Sequence, residues 1–347
     1  MSDKLFQLNA SQSLAISTIR AIATLMIISC HVMQGYNHFL AWWINVGVHI
    51  FLFMSGFLLA HSDYTNKLVF LKKRLTRILI PYWLFLLLVL PIFYYYTGSL
   101  NIGLKQIPKY LFGTIGFNIN VTGIEHLWFL SLIIYCYVTA IFLSYLRNIS
   151  CRLSASVFYL GLGAFFYILH RLETATWIPF SYAAGIATFV LAFFISCRYQ
   201  GQIPRKLVIG LGLTTAVTTL IRIYFEHLSP VNKLPVRYVP WSKFFLGSFL
   251  FVTMYLLFSK INWETLPKTA TAIRTLAFYS YEIYLTHQIF ILGPFSLLNL
   301  TSLKIVNLLV IAVLVTVSTV FLKWLSELVL LRLTPKKTFP VSKADVS

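Results

Sequence analysis

The chain has 347 residues, of which 59% are hydrophobic, 17% aromatic and only 11% charged. Soluble domains carry roughly a quarter charged residues, so this composition, with a mean hydropathy of +0.80, excludes a soluble globular enzyme, a disordered chain and a fibre and implies a polytopic membrane protein. A net charge of +19, from 28 Lys and Arg against 9 Asp and Glu, would suggest nucleic acid only if a soluble basic face existed. None does, so no nucleic-acid partner is expected and the charge is read as loop charge that orients helices in a bilayer.

A spanning helix needs ~20 mainly apolar residues. Ten segments qualify, near 13–36, 43–61, 78–97, 125–146, 153–169, 177–197, 206–225, 241–259, 275–294 and 303–325. The expected fold class is therefore all-α, a polytopic membrane protein of about ten transmembrane helices. Residues 1–12 form a short N-terminal segment, 13–325 the membrane domain, and 326–347 a basic, disordered tail. No cleavable signal peptide is expected, because the first apolar run is long and no small-residue cleavage site follows it. With the N-terminus inside, the inner segments hold 18 Lys and Arg and the outer links 6, so both termini are expected to be cytoplasmic. The other four basic residues, Arg20, Arg222, Lys243 and Lys323, fall within spans. Cys30, Cys136, Cys151 and Cys197 show no paired spacing and read as small apolar residues or free thiols.

Ionisable groups inside a membrane are costly and are functional candidates. In the first span, ten residues separate Arg20 from His31. Eleven helical steps bring the two onto one face, ~16 Å apart along the axis. The plainer readings are a snorkelling arginine and a packed, hydrogen-bonded imidazole. The second span contains Ser55, Gly56 and Phe57, a stretch whose small residues also suit close helix packing. Lys73, Arg74 and Arg77 precede Pro81 at the start of the third span. Arg74 and Arg77 share a helical face, and near a helix N-terminus their forks suit phosphate, although an ordinary positive-inside cluster would look the same. Glu125-His126-Leu127-Trp128 opens the fourth span and reads by itself as an interfacial cap with a belt aromatic. The ninth span carries Glu282 and His287, and an Arg20–Glu282 ion pair is expected from their similar depth.

These pieces, in this order, resemble the acyltransferase-3 family of integral membrane acyltransferases. The resemblance rests on Arg20 and His31, on Gly47 to Phe57, on Arg74 and Arg77 ahead of Pro81, on His126 to Leu130, and on Ser280 to His287. It implies transfer of an acyl group, usually acetyl from acetyl-CoA, to a hydroxyl of a cell-surface or lipid-linked glycan. Surface glycans such as capsule or exopolysaccharide are the implied acceptors, and a bacterial plasma membrane the implied location. Carried onto this sequence, His31 is the catalytic histidine and Arg20 its partner, while Arg74, Arg77 and Lys73 hold the CoA phosphates. Ser55, Gly56, Phe57, Trp128, Glu282 and His287 shape the substrate cavity. Many members have Asp where this chain has His49. Glu125, Glu282 or a backbone carbonyl is the candidate to orient His31 instead. No metal-ligand spacing occurs and none is expected as a cofactor. His31 is either a base toward the hydroxyl or a covalent acyl carrier. The rival reading is a transporter or flippase for a glycan or anion, which the absence of matched halves with broken helices opposes.

Overall fold

The computed structural model describes residues 8–100, 102–114, 121–178, 181–228 and 238–333. Every regular element among them is helical. The long helices are α1 (Ala10–Gly35), α2 (Gly47–Leu59), α3 (Lys67–Thr97), α4 (Trp128–Arg152), α5 (Ala155–Thr174), α6 (Tyr182–Tyr199), α7 (Arg205–Ile223), α8 (Tyr238–Phe258), α9 (Pro267–Ile291) and α10 (Lys304–Leu333). Among the described residues, eight helices are long and apolar enough to cross a membrane; α5 and α9 are not among them. In α9 the apolar run is broken by Ser280, Glu282, Thr286, His287 and Gln288, all of which are buried. Its polar side chains therefore face protein, where they are tolerated. The protein is an all-α, multi-pass membrane protein.

Local chemistry starts the helices where the sequence allows. Asn9 and Gln12 form a reciprocal capping box at the head of α1. Asn66 caps α3, which ends on Gly98 at φ 72°. α3 thus begins eleven residues before the third predicted span, and Arg74 and Arg77 lie two turns inside it. The helix dipole fades within the first turn, so the two guanidiniums act by their own charge and not as part of a helix N-terminus. At the other end, α10 runs on to Leu333, so residues 326–333, predicted as disordered tail, are helical. Residues 1–7 and 334–347 lie outside the described residues, as do Lys233 and Arg237 of the charge count.

Small residues set the core. A Cβ on Gly56 would fall 2.1 Å from the Phe189 carbonyl oxygen, so α2 and α6 touch backbone to backbone. α6 is apolar all round and buried from Tyr182 to Cys197, as expected of a central helix. α1 packs along α9 and against α2 and α8. Tyr281 of α9 donates to the Ile78 carbonyl of α3 at 2.8 Å, one turn before Pro81. Near the end of α9, Gly293 at φ 91° meets Gly123 at φ 99°; a Cβ on Gly293 would lie 2.6 Å from the Gly123 Cα. Only glycine permits that contact, and it brings Glu125 and His126 onto α9. Cys30 and Cys136 are buried free thiols.

Candidate functional site

Three histidines that are far apart in sequence converge at the centre of the bundle. His31 of α1 and His287 of α9 stack with ring centroids 4.9 Å apart, and His31 Nδ1 lies 2.7 Å from His287 Nε2. His126, in the turn before α4, sits edge-on at 5.2 Å from His287 and 6.3 Å from His31. The hydrogen bonds around them assign the tautomers of neutral rings. His287 Nδ1–H donates to the carbonyls of Tyr284 at 2.8 Å and Ile283 at 3.0 Å. Its Nε2 is then an acceptor and takes the His31 Nδ1–H, which leaves His31 Nε2 with a free lone pair. His126 Nε2–H donates to Leu285 at 3.2 Å. Its Nδ1 is buried without a partner among the described residues.

A cavity opens on each side of this group. The first, about 540 Å³, is lined by Arg20, Ser55, Arg74, Arg77, Glu282, His287 and Lys323 among others. The second, about 790 Å³, is lined by His31, His126, Trp128, Glu125, Gln288 and Lys243 among others. The two share Ile27, Phe129 and Tyr284 in their walls. Hence the His31–His287 pair stands between them, with one ring on each.

The first cavity is strongly cationic. Arg20, Arg74 and Arg77 converge on it from α1 and α3, and Lys323 from α10. Arg74 also reaches Ser62 Oγ at 3.4 Å. The expected Arg20–Glu282 pair does not form. Glu282 Oε1 instead accepts from Lys323 Nζ at 3.2 Å, because α10 supplies a closer ammonium than α1 does. Arg20 therefore keeps its fork donors for whatever enters.

Polar groups line the second cavity as well. Glu125 Oε2 accepts from the Gly123 amide at 2.8 Å and from Gln288 Nε2 at 2.7 Å. The Gln288 Oε1 is buried with no partner among the described residues. His49, the departure noted in the sequence, is anchored elsewhere: its Nδ1–H donates to Thr188 Oγ1 at 2.8 Å, and Thr188 donates on to Ala184. Neither Glu125 nor Glu282 orients His31. His287 does, and backbone carbonyls orient His287.

Of the other residues singled out in the sequence, Gly56 and Phe57 serve packing and line neither cavity. Phe57 is 1% exposed and lies against Phe251 and Tyr255. Lys73 is exposed and stands away from the arginine cavity. His126, expected to cap a helix at the interface, is 4% exposed and central. Gln288, Lys323 and Lys243 belong to no motif of the sequence. The available signal was one of polarity: each is a polar or charged side chain inside an apolar run.

The family model described as an acyltransferase domain matches residues 13–328, so the chain belongs to the acyltransferase-3 family. The protein is a membrane acyltransferase. No curated relative and no solved structure matches the chain.

Proposed function

We propose that the protein moves an acetyl group from cytoplasmic acyl-CoA to a hydroxyl of a cell-surface or lipid-linked glycan, in a bacterial plasma membrane with both termini cytoplasmic. The observation that carries this reading is the His31–His287 pair between an arginine-lined cavity and a cavity walled by imidazole, amide and carboxylate side chains. A diphosphate-bearing donor suits the first. Guanidinium forks match phosphate oxygens, and Arg20, Arg74 and Arg77 approach from two helices. Its thioester then extends ~16 Å along α1 toward His31. A molecule rich in hydroxyls suits the second, whose walls carry Gln34, Asn45, Glu125, His126 and Gln288 beside His31.

Chemistry follows from the tautomers. The free Nε2 of His31 takes the proton of the acceptor hydroxyl. The alkoxide oxygen forms a bond to the thioester carbonyl carbon, and the carbon–sulfur bond breaks. The CoA thiolate leaves with the proton carried by His31. His287 acts as a positioning residue: its Nε2 fixes the His31 ring and stabilises the imidazolium form through the Nδ1–H bond. Direct transfer needs no acyl-histidine, and the inward lone pair serves either route.

Labelled acetyl-CoA tests the reading. Purified protein in lipid nanodiscs should release CoA thiol and, with acceptor, form an acetyl ester. In cells, deletion should remove O-acetyl signals from the purified surface polysaccharide by NMR. Restoration by the wild type but not by His31→Ala, present in membranes at equal level, is expected. Full restoration by His31→Ala would overturn the assignment, and solute movement without acyl-CoA consumption would indicate a transporter.

A further inference from the structure

Lys243 sits in the second turn of α8, a helix apolar enough to cross a membrane. Its side chain is 8% exposed and lines the His31 cavity. Among the described residues no hydrogen bond or ion pair holds its ammonium. The nearest ring, Trp42, is 6.0 Å from Nζ, at the outer limit of a cation–π contact. Its acidic neighbour Glu226 lines the same cavity and accepts from Arg222 Nε through Oε1 at 2.8 Å, so one carboxylate faces two cations. Arg222 in turn stacks on Trp43 at 3.9 Å. Glu125, across the same cavity, holds the Gly123 amide and Gln288. The link 229–237, outside the described residues, contains no Asp or Glu. Lys243 and Arg222 together therefore outnumber the carboxylate they share.

An ammonium held in a spanning helix with no hydrogen bond and only a shared counter-charge is costly, and such residues mark functional sites. We infer that Lys243 binds an anionic group of the molecule acylated in the His31 cavity. The acceptor thus carries a carboxylate or a phosphate near its reacting hydroxyl. This rests on the acyltransferase reading above and adds to it the charge class of the acceptor. An ammonium is a compact point charge with three donors, so it suits either anion. A cavity of about 790 Å³ is within the range of sites for small organic ligands.

The test uses the full chain in nanodiscs, with coenzyme A in excess to fill the arginine cavity. The probes are glucuronate, glucose 1-phosphate and glucose, read by quenching of tryptophan fluorescence, since Trp42 and Trp128 line the His31 cavity. At least one anion should bind about tenfold or more tightly than glucose. Which of the two does so separates carboxylate from phosphate. The gap should shrink as salt rises, a readout that needs no variant. Lys243→Met should abolish it and Lys243→Arg should keep it. Equal binding of charged and neutral sugars, an unchanged preference in Lys243→Met, or no saturable binding of any probe would overturn the inference. Acetyl-CoA turnover by the wild type is measured alongside. Its absence would sink the acyltransferase reading, whereas turnover without anion preference would sink only the role of Lys243.

Discussion

The two cavities flanking the His31–His287 pair recruit polarity in different ways. The arginine cavity gathers Arg20, Arg74, Arg77 and Lys323 against Glu282 and Glu327. Its partner on the other side mixes imidazole, amide and carboxylate with a single lysine, and its most buried acceptors lack donors. Excess guanidinium selects polyanions by charge and fork geometry. Scattered neutral acceptors select by hydrogen bonding, and a mismatch there leaves buried groups unpaired. Under the proposed function, one side holds the donor by charge and the other orients the hydroxyl.

The largest expected effect falls on the wall between them. His31→Ala should lower acetyl transfer by about 10²–10⁴-fold, the usual worth of a general base, with acetyl-CoA binding measured as the control. His287→Ala should follow at roughly 10²-fold, the cost of a misplaced group. Because the proposed role of His287 is to position His31, the pH–rate profile should shift as well as fall. An unchanged profile would argue for simple packing.

The donor side should respond in binding terms. Arg74→Ala and Arg77→Ala should each raise the KM for acetyl-CoA by about tenfold with kcat nearly constant, the mark of uniform binding. Steady-state kinetics over a range of salt would check both. Lys73→Ala, exposed and outside the cavity, should change KM by less than about twofold. An equal loss for Lys73 would move the phosphate site out of the cavity and onto the surface. Gly56→Ala bears on neither cavity directly. The methyl would meet the Phe189 carbonyl, and overpacking costs about 1–3 kcal/mol. A lower unfolding midpoint in detergent, with unchanged KM in the folded fraction, is expected.

Much of this was legible in the residues. The apolar runs gave the helices, because a bilayer demands continuous apolar length and internal backbone hydrogen bonds. Arg20 and His31 stood out because charge is rare in such runs and their spacing closes onto one helical face. His126 was harder to read. Next to Glu125 and Trp128 at the head of a span it has the composition of an interfacial cap, and only contacts with α9, the Gly123–Gly293 approach and the bonds to Leu285 and Gln288, draw that turn inward. The Arg20–Glu282 pair failed for a related reason: equal depth on two helices does not fix which side chains face each other, and Lys323 of α10 was nearer.

The sequence by itself determined the class of the protein, its helices, its family and the face shared by Arg20 and His31. Composition, local periodicity and short motifs carry that information within single segments. The tertiary structure decided the partners. It joined His31 to His287 across 256 residues, gave Glu282 to Lys323, left Lys243 to share Glu226 with Arg222, and parted the interior into two cavities. Those outcomes depend on how helices rotate and approach one another. Small residues such as Gly56, Gly123 and Gly293 set that approach by letting backbones touch, and their effect appears only when the facing helix is known.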